Sequence, residues 1–271
     1  MRVFISVDIE GVAGVVGREE GQNGNPEYER ARRLMTAEAS AAVAGVFDAD
    51  PLAEVTVADA HGTFRNIIPE LLDRRARLVR GKPRQLAMID GVQGGFDAAF
   101  FVGYHGRAGT GDSILSHTFT GTLADVRING RSFGEIGLNA AVAGAFGVPL
   151  KLVTGDRSVA EEVADLLGEV DTVVVKNGVG QLAADSLHPA AACDAIRAGA
   201  TAALERAGRL FQVEGPVELE VDVSLPAYVD QALIIPGITR LGGRTLGYSA
   251  PDYLTAYRIV RLVGALSGLP L

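Results

Sequence analysis

The sequence predicts an α/β fold: a mostly parallel three-layer sheet, followed by a smaller α+β unit. Two observations predict it. Through the first two-thirds of the chain, short apolar, β-branched runs alternate with Ala-rich stretches of helical length, the pattern of repeated strand–helix–strand units. From His188 onward the alternation gives way to one long Ala-rich stretch, a strand with acids at every second position, and a hairpin. The boundary falls near residue 185, giving an α/β unit at 1–185 and an α+β unit at 186–271.

The first eleven residues, Met-Arg-Val-Phe-Ile-Ser-Val-Asp-Ile-Glu-Gly, form a buried strand with two carboxylates arriving where it should stop. Residues two apart in extended backbone point to the same side, so Asp8 and Glu10 present two acids to one spot. Two like charges that close repel unless one takes a proton or a cation sits between them. A strand end fraying into solvent explains that stretch equally well on its own. Residues 11–24 carry glycines at 11, 14, 17, 21 and 24 and read as a mobile loop over a site, matching neither the dinucleotide nor the P-loop phosphate pattern.

Asn25 and Pro26 then cap and open a helix running to about Phe47. A second strand at 54–59 leads directly to His61. A short helix and a strand at 77–79 precede a buried strand at 98–102, which ends in Gly103-Tyr104-His105-Gly106. Asn129-Gly130 turns a hairpin arm spanning 125–132. A small-residue helix starts at Gly134-Glu135 and stops at Gly147 and Pro149. Strands at 150–154 and 172–175 flank an acidic-faced helix at 156–167. After His188-Pro189 come an Ala-rich helix, a strand at 217–223, a helix near 227–234, a hairpin through Gly242-Gly243 and a terminal helix from Asp252.

Composition narrows the functional classes. The net charge of -8 argues against a nucleic-acid or anionic-membrane partner. A local basic run, Arg74, Arg75, Arg77, Arg80, Lys82 and Arg84, reads as a solvated face. The single cysteine, Cys193, excludes an intrachain disulfide and fits a reducing cytoplasm. Asp8 interrupts the N-terminal apolar run too early for a secretory leader. The one long apolar stretch, 136–153, is broken by Asn139, Pro149 and Lys151, so it reads as a buried helix and strand rather than a membrane span.

Asp8, Glu10, His61 and His105 lie at or just past the carboxyl ends of three separate strands. In open parallel sheets that rim is where ligands bind. Carboxylate and imidazole together suit zinc, manganese or another first-row ion, and a pair of ions sharing Asp8 would let two acids crowd together. Glu135, opening a helix, is a fifth candidate. Alone, His61 reads as a loop or capping residue and Glu135 as a partner for the helix dipole. His188, beside Pro189 at a helix start, reads as structural. His117 is open to three readings: a ligand, an acid/base, or neither. What favours a site is that three of only four histidines fall near one rim.

At these residues the sequence resembles the zinc-dependent D-aminopeptidases of the dipeptide-operon type. The resemblance is carried in order by Ser6-Val-Asp-Ile-Glu-Gly11, Ala58-Asp-Ala-His61, Gly103-Tyr-His-Gly-Arg-Ala108 and Leu115-Ser-His117. It continues through Gly134-Glu-Ile-Gly-Leu-Asn-Ala-Ala-Val-Ala-Gly144 and Val148-Pro-Leu-Lys-Leu-Val-Thr-Gly-Asp156, then more weakly through Val175-Lys176 and Ser186-Leu-His-Pro189. It implies two zinc ions, with Mn2+ or Co2+ as substitutes, held by Asp8, Glu10, His61, His105 and Glu135, Asp8 bridging. It implies His117 as the catalytic residue. It also implies short peptide substrates carrying D-residues and a ring-shaped, self-compartmentalising homo-oligomer. The chain departs from the family in the 11–24 loop and the 74–84 basic run, which bear on substrate size and entry.

Other readings use some of the same residues. A magnesium phosphohydrolase of the haloacid-dehalogenase type would take Asp8 as nucleophile, but magnesium prefers oxygen ligands, leaving His61 and His105 without a role. A purely structural metal site is typically cysteine-rich, which one cysteine does not supply. An L-specific or broad aminopeptidase of the same fold differs only in pocket shape, which residue spacing does not display.

Overall fold

A computed structural model describes residues 1–269 of the chain. Strand β1 (Arg2–Val7) leads through a tight loop to helix α1 (Pro26–Ala49), then β2 (Glu54–Asp59), β3 (Arg77–Val79) and β4 (Ala98–Tyr104). The hairpin β5 (Leu123–Ile128) and β6 (Arg131–Ser132) precedes α2 (Glu135–Ala145), β7 (Leu150–Asp156) and α3 (Arg157–Leu166). Next come β8 (Asp171–Gly180), β9 (Ala183–Ser186) and α4 (Pro189–Leu204). The chain continues through β10 (Val217–Val223), α5 (Pro226–Ala232), β11 (Thr239–Arg240), β12 (Thr245–Ala250) and α6 (Tyr253–Leu266).

Seven strands form one sheet in the order β3-β2-β1-β4-β7-β8-β9, parallel throughout except for the β8–β9 pair. Alternation along β1 decides its two faces. Val3, Ile5 and Val7 pack with α1 and α4, whereas Phe4 packs with α2 and α6 on the other side. A second, antiparallel sheet, β11-β12-β10-β5-β6, shares the core of that other side. It takes β5 and β6 from before residue 185 and β10–β12 from after it, while α4 packs on α1. Helix α2 is buried along nearly its whole length, which its Ala and Gly content permits.

The sheet's order creates the site. From β1 the chain runs outward through β2 and β3, then returns to place β4 on the other side of β1, so a crevice opens at the carboxyl ends of β1 and β4. Two glycines let those ends close up: a Cβ on Gly11 would collide with the Tyr104 carbonyl, and one on Gly103, whose φ is +70°, with the Asp8 carbonyl.

Two local expectations change. The segment between β2 and β3 contains turns rather than a short helix. The Asp59 carboxylate accepts from the Asn66 amide (2.5 Å), the Asn66 side chain (2.7 Å) and the Ile67 amide (2.7 Å), folding the segment back on the strand end. The 11–24 loop is tied down over its first half. The ammonium of Lys176, on β8, donates to the carbonyls of Glu10 (2.5 Å), Val12 (2.9 Å) and Val15 (2.5 Å). Glu38 accepts from Ala13, and Glu20 from Val16 and Gly17. No helix among the described residues is long and apolar enough to cross a membrane.

Candidate metal centre

Strand β1 stops at Val7, and the turn after it brings both acids inward. Asp8 accepts from the Ile9 amide (2.9 Å), and Asp8 and Glu10 are both buried. His61 lies two residues past β2, His105 immediately past β4, and Glu135 at the first position of α2. His117 comes from the loop between β4 and β5. The crevice gathers all six predicted residues.

They form two ligand clusters that share one member: Asp8, Glu10 and His61 in the first, and Asp8, His105 and Glu135 in the second. Within each, one potential ligand atom per residue lies within 4.8 Å of the others. His61 Nδ1 stands 3.3 Å from Asp8 Oδ1 and 2.9 Å from Glu10 Oε2. His105 Nε2 stands 3.6 Å from both Asp8 Oδ2 and Glu135 Oε2. A third grouping of Glu10, His105 and His117 places His117 beside both clusters.

Ring orientation separates these contacts from ordinary ion pairs. A carbonyl oxygen can only accept, so an imidazole nitrogen bonded to one carries the proton. His61 Nε2 is 2.9 Å from the Gly21 carbonyl, His105 Nδ1 2.9 Å from that of Gly106, and His117 Nδ1 2.8 Å from that of Leu115. The other nitrogen of each ring points at carboxylates, and whenever a ring is neutral that nitrogen offers them a bare lone pair. Backbone carbonyls that fix the tautomer in this way are the usual outer support of metal-binding histidines.

Burial and crowding shift these groups in different directions. Burial, then the Glu10 charge, pushes the Asp8 carboxyl well above its ordinary range. Burial also works against charge on Glu10, but the His61 imidazole outweighs it and holds that carboxyl well below its usual value. His61 is raised well above an ordinary histidine despite burial, by Glu10 and Asp8. Burial and the neighbouring His117 push His105 down, toward the neutral form that coordinates. Glu10 Oε2 and His105 Nε2 are buried without a hydrogen-bond partner, which is costly for polar atoms that no cation ligates. Mixed imidazole and carboxylate donors with converging lone pairs fit a first-row divalent ion.

Three supporting residues escaped sequence reasoning. Lys176 holds the backbone of Glu10. Glu162, on α3, accepts from the amides of Arg107 and Gly134, each 3.1 Å away, tying the loop after His105 to the residue that precedes Glu135. Asp156 accepts from Ser113 Oγ and the Ile114 amide, steadying the loop that carries His117. A lone charge in a strand and an acid on a helix face gave no signal of inward roles.

Two cavities meet at the site. One of about 500 Å³ is lined by Glu10, Arg18, His61, Leu115 and His117 among others. The other, of about 250 Å³, reaches Asp8, His61, His117 and Glu135.

A family model described as Peptidase_M55, D-aminopeptidase, matches residues 1–262. The D-aminopeptidase of Bacillus subtilis (strain 168) is 32% identical over 270 residues, spanning 98% of each chain. A solved structure, the Zn-dependent D-aminopeptidase DppA from Bacillus subtilis, described as a self-compartmentalizing protease, shares the fold at a TM-score of 0.95. It is 31% identical, with 98% of each chain covered.

Proposed function

Because this chain belongs to the Peptidase_M55 D-aminopeptidase family, we propose that it is a two-zinc aminopeptidase removing the N-terminal residue of short, D-residue-containing peptides. The observation that carries this reading is that Asp8 belongs to two adjacent clusters of potential ligands, one with Glu10 and His61 and one with His105 and Glu135. Asp8, Glu10 and His61 would hold one ion and Asp8, His105 and Glu135 the other, with Mn2+ or Co2+ as workable substitutes. Zinc bound there supplies Lewis acidity, polarising a peptide carbonyl and making water acidic enough to react near neutral pH.

The chain's own residues do the rest. A free substrate amino group would donate to a ligand carboxylate at the rim, which selects peptide N-termini. His117, with Nδ1 anchored on Leu115, leaves Nε2 free to take a proton and pass it to the departing amine. It lines both cavities, so it stands where the two halves of a cleaved substrate separate. The haloacid-dehalogenase alternative is disfavoured, because His61 and His105 aim lone pairs at Asp8, its would-be nucleophile. Following its relative described as self-compartmentalizing, the chain forms a ring-shaped homo-oligomer, working in a reducing cytoplasm where Cys193 stays a thiol.

The test compares D- and L-aminoacyl anilides on metal-stripped and zinc-restored protein. Cleavage that returns with zinc, for the D-enantiomer, supports the reading. Equal cleavage of both enantiomers would make the enzyme a broad aminopeptidase, and no cleavage of either would overturn the assignment.

A further inference from the structure

The smaller cavity is lined by charges of both signs: Asp8 and Glu135, with His61 and His117, and the cations Lys82 and Arg261. Lys82 Nζ sits 5.0 Å from the centre of the Phe64 ring, with the Arg84 guanidinium 4.0 Å from the same ring. Arg261 lies 5.6 Å from the Phe119 ring. Among the described residues, none of these three cations forms an ion pair. Arg261 Nη1 and Arg84 Nε and Nη1 are buried without an acceptor, although Arg84 Nη2 does donate to the Asp59 carbonyl. Burial and the two neighbouring guanidinium groups push the Lys82 ammonium down, as expected where cations gather without a counter-charge.

Buried guanidinium donors such as Arg261 Nη1 need an acceptor, and none of the described residues supplies one. A free inorganic anion would neutralise the cations but leave the rest of the lining unused. A short peptide uses both parts of the lining, its amino group toward Asp8 and Glu135 and its free carboxylate toward Lys82 and Arg261. Complementary charge of this type sets register as well as affinity. The cavity, at about 250 Å³, falls below the roughly 300–1,000 Å³ usual for drug-sized ligands, so the peptide is short.

We propose that Lys82 and Arg261 bind the free C-terminal carboxylate of a dipeptide-length substrate, so that the enzyme reads its substrate from both ends. Arg84 lies behind them, stacked on the same Phe64 ring. Part of the 74–84 basic run is thus a binding wall: Arg74, Arg75, Arg77 and Arg80 are exposed, and Lys82, also exposed, is the member of the run that lines this cavity.

This proposal rests on the aminopeptidase reading for its orientation, and two measurements keep the two separable. The first compares kcat/KM for a dipeptide and its C-terminal amide in the wild type, Lys82→Met and Arg261→Met. Charge-assisted hydrogen bonds imply a wild-type preference for the free acid of about tenfold or more, carried in KM. That ratio should fall toward one in both variants, with partial recovery in Arg261→Lys. The second measures calorimetric binding of the same two ligands to metal-stripped protein, where nothing is turned over. Tighter binding of the acid, lost in Arg261→Met, supports the carboxylate site even if hydrolysis fails and the aminopeptidase reading falls with it. Equal binding of acid and amide to wild type, or a preference that survives in both Met variants, overturns the proposal.

Discussion

The imidazoles of His105 and His117 stack with ring centres 4.3 Å apart and planes 12° from parallel, yet the two rings face different surroundings. His105 is fully buried, whereas His117 is partly exposed and opens onto both cavities. Each anchors Nδ1 on a backbone carbonyl and turns Nε2 toward Glu135, at 3.6 Å from His105 and 3.7 Å from His117. A buried ring thus packs face to face with a solvent-reachable one.

In the proposed function, that difference in exposure goes with separate roles, His105 as a ligand and His117 as the acid/base. His117→Ala should lower kcat by roughly a hundred- to ten-thousand-fold, the range for loss of a positioned acid/base, with bound zinc unchanged by elemental analysis. Loss of an ion in this variant would instead make His117 a ligand.

In the proposed two-ion centre, Asp8 is the carboxylate common to the His61 and His105–Glu135 clusters. Asp8→Asn should deplete both ions, whereas Glu10→Gln and Glu135→Gln should each deplete one. Zinc titration with a chromogenic chelator reads the difference. Equal losses across the three variants would contradict sharing.

Lys176 is bound to three loop carbonyls with all three of its protons. Lys176→Met leaves those acceptors unpaired in a buried place, a cost of about 1–3 kcal/mol for each group left unsatisfied. Amide exchange at residues 12–17 should accelerate, and zinc affinity should fall at the cluster containing Glu10. Unchanged exchange would show that the loop holds without the ammonium.

Glu162 carries a stability signature in pH. Burial raises its carboxyl to about 7 against an ordinary 4.5, with the Arg107 and Gly134 amides opposing. Between those values the folded chain holds a proton that the unfolded chain has released, so this group's contribution to stability falls as pH rises through that window. The loss is on the order of 3 kcal/mol at most. Urea midpoints measured at pH 5 and pH 8 should show a smaller decline in Glu162→Gln than in wild type. A parallel decline in the two would remove Glu162 as its source.

Much of the site was legible because strand ends in a parallel sheet share one rim. Asp8, Glu10, His61 and His105 could be grouped from local patterns alone, and Glu135 from its place at a helix start. Strand order could not be read, since nothing local says that β4 returns beside β1. The acids also converge through a turn after Val7 rather than by the two-residue alternation of extended backbone. Lys176, Glu162 and Arg261 stayed hidden for one reason: a charged residue inside a regular element has the same sequence signature whether it faces water or a buried acceptor. Helix content between 60 and 76 was over-read because Asp59 captures amides from the following loop.

The central claim is that two cations share Asp8. Anomalous scattering from zinc-loaded crystals, recorded on both sides of the zinc edge, tests it directly. Two peaks flanking the Asp8 carboxylate, one beside His61 and one beside His105, are the predicted result. A single peak, or two peaks with Asp8 touching neither, would contradict it.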